Sequence, residues 1–368
     1  MGRQFIGMRL PHALIVSLGG LLGALLMTGT AAAAALNIGV AAPLSGPSTI
    51  LGRQIEYGAR LGAGTRGAET AVVDDKCTAE GGAAAATQFV SAKVDVVVGF
   101  LCTEAIEAAL PILKQAGIPV ITLGVRTEGL TDRRAKTGWP VFRLGPRGDA
   151  ERDAGGTILS KLWRDASFAV VDDGTIYGRE LAEAVRVATQ QAALKPVFTD
   201  TFRPELDNQV GLVGRLRKAG ADAVFVGSDG RDVAIMARDA AKLGSEMVFA
   251  GGEALREAAD DVPYATGTLM IAMPEWADVA DKKTLDLFSA GKVLPEGYAL
   301  PAFAAVEIAD AAQKASEADG KLMLAVLSGR TFPTSIGPVT FDAKGDLTQN
   351  PYRAFRFDGT RFVPLEEQ

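Results

Sequence analysis

Histidine is all but missing from this sequence. The single one, His12, falls in an amino-terminal stretch that reads as a removable leader, so the rest of the chain has none. That removes the commonest general base, the usual partner of a nucleophilic serine and the commonest metal ligand. Cysteine is scarce as well: the chain has two, Cys77 and Cys102. Without histidine they make a poor metal site, and their spacing is not C-x-x-C. No G-x-S-x-G, no P-loop and no G-x-G-x-x-G at a strand-to-helix turn is present, which weighs against a hydrolase or a nucleotide enzyme. The adjacent Asp74 and Asp75 could in principle act as a carboxylate pair on a glycoside, but "VVDDKC" fits the end of a strand better. Basic excess is lacking too. The formal charge is −6, and loss of a leader with two arginines and no acid makes it −8. That argues against nucleic acid or anionic membrane as a partner.

The leader has three parts. Arg3 and Arg9 make a positive start, "ALIVSLGGLLGALLMTG" is an apolar run of 17 residues, and "TAAAAA" supplies small residues for a signal peptidase. Residues 1–35 are therefore expected to be a signal peptide cleaved near Ala35. The competing reading is a retained anchor, but the run is barely long enough to span, is glycine-rich and ends without charge. No later run approaches the ~20 apolar residues of a membrane helix, so a soluble protein in a bacterial periplasm is expected. In that oxidising setting Cys77 and Cys102 read as a disulfide, against the alternative of a metal or redox thiol pair. The remaining chain of about 333 residues exceeds what one core usually supports, and two domains are expected.

What is abundant is alternation. Short β-branched runs at 36–44, 70–75, 94–100, 118–124 and 141–145 are separated by helix-period stretches near 53–65, 81–92 and 104–116, as in a parallel sheet covered by helices. A second series has strands at 167–178, 197–202, 222–227, 247–252 and 268–274, with helices near 149–164, 178–193, 207–219 and 231–243. The joins fall near Pro146 and Pro274. Residues 278–330 look helical and are expected to return over the first unit, and the ending reads as two hairpins with turns at "AKGD" and "DGT". The predicted class is α/β. Residues 36–145 with about 275–345 form lobe I, and 146–274 with about 346–368 form lobe II. Ligands of such sheets sit beyond the carboxyl ends of the strands, here in the cleft between lobes.

The segments "APLSGP", "DDKC" followed by "GFLCT", "VITLGVRTEGLT", "DDGTIYGREL", "FAGGEAL" and "GPVTFDAKGDL" occur in this order along nearly the whole chain. In them the chain resembles the periplasmic leucine/isoleucine/valine-binding proteins, the solute-binding subunits of branched-chain amino-acid ABC importers. The resemblance implies a type I periplasmic-binding-protein clamshell, each lobe a three-layer α/β sandwich on a parallel sheet, closing on an amino acid or related small carboxylate. It implies a permease partner in the inner membrane, no cofactor, no metal and no catalysis. In it Thr103, just after the second half-cystine, binds the ligand carboxylate, Glu253 takes the ammonium and Tyr177 packs on the ligand, with Gly124 in the lobe-I turn. Thr103 read alone could equally be a helix N-cap, Glu253 a first-turn acid, and Tyr177 an ordinary core or surface tyrosine.

Three positions depart from the pattern. Arg126 stands where a second small hydroxyl residue is usual, Asp229 where an aromatic is usual, and Leu51 replaces an aromatic after "LSGP". Arg126 and Asp229 could pair across the cleft, Arg126 could bind a second acidic group of the ligand, or both could be solvated loop charges. A ligand-sensing receptor of the same fold is the alternative function, and a hydrolase a more distant one.

Overall fold

A computed structural model describes residues 1–2, 35–257 and 261–365; the leader signals Arg3, Arg9 and His12 lie outside the described residues, and the fold below is that of the chain from Ala35 onward. The strands are β1 (Asn37–Ala42), β2 (Glu69–Asp74), β3 (Val96–Gly99), β4 (Val120–Thr122), β5 (Val141–Arg143), β6 (Phe168–Asp172), β7 (Phe198–Thr201), β8 (Ala223–Gly227), β9 (Val248–Gly251), β10 (Leu269–Ala272), β11 (Thr331–Thr334), β12 (Gly337–Thr340), β13 (Arg353–Phe357) and β14 (Phe362–Pro364). The helices are α1 (Thr49–Gly64), α2 (Ala79–Ser91), α3 (Thr103–Ala116), α4 (Gly129–Asp132), α5 (Arg134–Thr137), α6 (Ala150–Leu162), α7 (Ile176–Gln191), α8 (Val210–Lys218), α9 (Gly230–Lys242), α10 (Trp276–Val279), α11 (Lys282–Ala290), α12 (Ala299–Asp319) and α13 (Met323–Leu327).

Two sheets result. The first is parallel throughout, in the order β2-β1-β3-β4-β5; the second runs β14-β13-β10-β9-β8-β6-β7, parallel from β10 to β7 and antiparallel at β13 and β14. Both faces of each sheet are covered, which is why the strands read as continuous apolar runs. In β3, Val96 and Val98 pack with α1 and α12 residues such as Ile55, Ala59 and Val306, while Val97 turns to Phe89 of α2 and Ile106 of α3. The second sheet repeats this, with Val171 toward α8 and α9 and Val170 toward α6 and α7. Helix α12 thus returns to the first sheet after the second is complete. Its contact with α1 is close: a Cβ on Gly58 would fall on the Ala299 carbonyl.

The chain passes between the two sheets three times, from β5 to α6, from β10 to α10, and from β12 to β13. The expected ending needs correction. The "DGT" turn does join a hairpin, β13–β14, but "AKGD" closes only a single bridge between Phe341 and Leu347. The second hairpin is β11–β12, turning at Ser335 and Ile336. Its strands contain Pro333 and Pro338, directly opposite each other, and proline masks a strand pattern.

Candidate functional site

Parallel strands deliver their following turns to one edge of the sheet, so the turns after β3, β4, β6, β8 and β9 carry the candidate residues. The turn after β3 is stapled: Cys102 is bonded to Cys77 in the turn after β2, with Cα atoms 5.1 Å apart. Cys102 is the N-cap of α3, in extended conformation, and Thr103 is the first helical residue. Thr103 therefore does not cap its helix. Its hydroxyl lies 2.8 Å from that of Thr127, in the turn after β4. Two hydroxyls thus stand beside first-turn N–H groups that have no intrahelical acceptor, an arrangement suited to a carboxylate.

The turn after β4 is held from below. Arg143, the last residue of β5, is fully buried, and its guanidinium donates to the carbonyls of Val125 and Thr127 (both 3.0 Å), to Thr131 Oγ1 (2.7 Å) and to Asp346 Oδ1 (2.9 Å). Asp346 also receives Arg147 and Thr131. It ends a tight turn in which the Asp342 carboxylate accepts the N–H groups of Lys344, Gly345 and Asp346, with Gly345 at φ +94°. The "FDAKGD" segment is therefore a device that presents one inward carboxylate to Arg143. Gly124, in the same turn as Arg126, leaves room for Tyr298, whose hydroxyl would lie 3.0 Å from a Cβ there.

Arg126 reaches across to the second sheet's side. Its Nη1 donates to the Tyr352 hydroxyl (3.1 Å), Tyr352 donates to Glu253 Oε2 (2.8 Å), and Arg126 Nη1 is itself 3.8 Å from that oxygen. Nη2 approaches Met273 Sδ at 3.9 Å. Beside this relay, Glu151 Oε1 accepts both the Tyr177 hydroxyl (2.8 Å) and the Glu253 N–H (2.7 Å). Burial pushes the Glu151 carboxyl above its usual range, opposed by those two bonds. Gly252 is required here: its Cβ would fall on Glu151 Oε1 and within 2.6 Å of the Tyr177 hydroxyl.

The structure thus brings Arg126, Glu253 and Tyr177 into one cluster, with Thr103 joined to it through Thr127. Asp229 stands elsewhere. It is the N-cap of α9, accepting the Asp232 N–H at 3.0 Å, and no ion pair joins it to Arg126 among the described residues. The cross-cleft pair weighed from the sequence is corrected accordingly: the partner of Arg126 is Glu253. Thr127, Glu151, Tyr298, Tyr352 and Arg143 were not foreseen. Thr127 had a signal, being the hydroxyl next to Arg126; Tyr352 arrives on the third crossing and had none. An open depression of about 410 Å³ lies away from this cluster, beside α7. Its Arg179 pairs with Asp172 and its Arg186 with Glu183, so the charges there are already matched.

Comparison with known proteins bears on the whole chain. It is 28% identical over 353 residues to the Leu/Ile/Val-binding protein homolog 3 of Brucella melitensis, covering 92% of this chain and 95% of that one. It is 28% identical to the leucine-, isoleucine-, valine-, threonine- and alanine-binding protein of Pseudomonas aeruginosa, with coverage of 90% and 92%. Among solved structures, an ABC transporter substrate-binding protein from Desulfitobacterium hafniense in complex with Leu superposes with a TM-score of 0.62 at 21% identity, over 90% of this chain and 99% of that one. An R. palustris solute-binding protein in complex with benzoate gives 0.56 at 22%, over 90% and 95%. These two share the fold, two-lobed and α/β. The family model described as periplasmic binding protein matches residues 35–361, and the chain belongs to that family.

Proposed function

We propose that this protein is the extracytoplasmic solute-binding subunit of an ABC importer, closing its cleft on an amino acid or related small carboxylate and handing it to an inner-membrane permease. One observation supports the reading: hydroxyls and a helix start on the first sheet's side are linked through the Arg126 turn to a carboxylate cluster on the second sheet's side. On the first side stand Thr103, Thr127 and the start of α3; on the second stand Glu253, Glu151, Tyr177 and Tyr352. The sequence relatives named for leucine, isoleucine and valine binding agree with a ligand of this size and charge. The two lobes would be bounded by the three crossings, and closure about them would shift the population toward the ligand-bound form. Thr103, Gly124, Arg126, Tyr177 and Glu253 are the proposed contacts. Asp229 is kept as a rim residue on the second lobe, where its exposed carboxylate caps α9. Binding without turnover is expected, in a periplasmic protein whose leader has been removed.

The test is a thermal-shift screen of the mature protein, unfolded and refolded to strip ligand, against amino acids and small organic acids. A true ligand at 1,000 times Kd stabilises by about 4 kcal/mol. No stabilisation by any small carboxylate would refute the reading.

A further inference from the structure

Resting on the reading above, we infer that the ligand is a small monocarboxylic acid without an α-ammonium group, because Arg126 already supplies the cation that Glu253 requires. An amino-acid cleft keeps a carboxylate available for the incoming amine. Here Glu253 Oε2 receives the Tyr352 hydroxyl at 2.8 Å and has the Arg126 guanidinium 3.8 Å away, while Tyr352 in turn accepts from Arg126 at 3.1 Å. An ammonium brought to Glu253 would stand beside a guanidinium that stays charged at all accessible pH values. It would replace one ion contact with another and add a like-charge contact.

The backbone that carries Arg126 is fixed, although its side chain is half exposed. Its own carbonyl accepts the Gly148 N–H at 2.8 Å, and the carbonyls on either side, of Val125 and Thr127, are held by buried Arg143. The second carboxylate nearby, Glu151, has one oxygen filled by the Tyr177 hydroxyl and the Glu253 N–H. Donors stand on the other side: the hydroxyls of Thr103 and Thr127, 2.8 Å apart, with Thr127 next to Arg126 in the chain, and the first turn of α3. One negative charge on the ligand is matched by this set together with Arg126. The tyrosines Tyr177, Tyr298 and Tyr352 leave an aromatic and hydroxyl-lined wall for the body of such an acid.

The experiment is isothermal calorimetry on the ligand-stripped mature protein with matched pairs differing only in the amine: 4-methylpentanoate against leucine, and 3-phenylpropanoate against phenylalanine. The acid is expected to bind at least ten-fold more tightly than its amino acid. In Arg126→Thr, which restores a small hydroxyl and releases Glu253, the order is expected to reverse. Tighter binding of the amino acids by the unaltered protein overturns the inference and leaves the receptor reading standing. Absence of heat with every acid and amino acid of the wider screen overturns the receptor reading as well.

Discussion

Removing the carboxylate of Asp346 should cost far more than an ordinary side-chain truncation. Arg143 is fully buried and Asp346 nearly so, and their 2.9 Å contact is the only charge-matched bond the guanidinium makes among the described residues. Its other acceptors are two carbonyls and a hydroxyl. Asp346→Ala would leave a buried positive charge with neutral partners and with Arg147 nearby, a situation that costs about 3–5 kcal/mol. Arg147 itself retains Asp132 and Asp149 and adds little to the loss. At about 2.1 cal/mol/K of unfolding entropy per residue, a chain of this length shifts by about 1.4 °C per kcal/mol, so the melting temperature should fall by roughly 4–7 °C. Calorimetric melting of Asp346→Ala, Arg143→Met and the double variant closes a cycle. The double variant should lose at least about 1.5 kcal/mol less than the sum of the singles, because removing both charges leaves no orphan ion. A single-variant cost under about 1 kcal/mol, or simple additivity, would refute the reasoning. Arg143→Met should also weaken ligand binding, since it frees the carbonyls that flank Arg126.

Three further outcomes follow from the same geometry. Reducing the Cys77–Cys102 bond opens a loop with a sequence separation of 25; the chain-entropy estimate is a loss of about 3.5 kcal/mol, to be read by denaturant titration with and without reductant, and an unchanged midpoint contradicts it. Asp75 is fully buried with one carboxylate oxygen unpartnered, and burial first, then the neighbouring Asp74 charge, pushes its carboxyl up to about 6, against one bond from the Cys77 N–H. A folded value above the unfolded one means that stability is lost as pH rises through about 6, so Asp75→Asn should gain on the parent by about 3 kcal/mol between pH 3 and pH 8; a difference that is flat in pH sinks the argument. Gly252→Ala should displace Glu151 and Tyr177 at a strain of about 1–3 kcal/mol, seen as weaker binding of whichever ligand the thermal screen identifies; unchanged affinity would mean that this pair does not shape the cleft.

The layers of the fold were legible because each is written locally. A run such as "VDVVVGF" can be little else than a strand buried on both faces, and "AAAATQFV" ahead of it packs as a helix on that strand. What escaped is what depends on two segments at once. The β11–β12 hairpin was hidden by its facing prolines. Asp229 looked like a site residue because it follows a strand, yet the same position is where a helix wants an N-cap, and the cap took its carboxylate. The "FDAKGD" segment was visible as a motif but not as a mechanism, since Asp346 acts on Arg143, 203 residues earlier. Tyr352, the hydroxyl between Arg126 and Glu253, lies 226 and 99 residues from its partners, and no pattern along the chain marks such a meeting.

In the proposed site that relay would tie ligand choice to closure. Arg126 comes from the turn after β4, Glu253 from the turn after β9, and Tyr352 from the crossing into β13, so one chain of contacts joins both sheets and a segment that any hinge motion must bend. A ligand favours the closed form only by the difference in its affinity for the two forms. A carboxylate seated between Thr103, Thr127 and Arg126 would gain the guanidinium as a contact while leaving Tyr352 bonded to Glu253, so its binding adds to the bridge already present. An ammonium at Glu253 would compete with the same bridge and forfeit part of what it gained. Under the proposed site, the charge at position 126 would bear on selectivity and on the open-to-closed balance together, and a substitution there should move both in the same experiment.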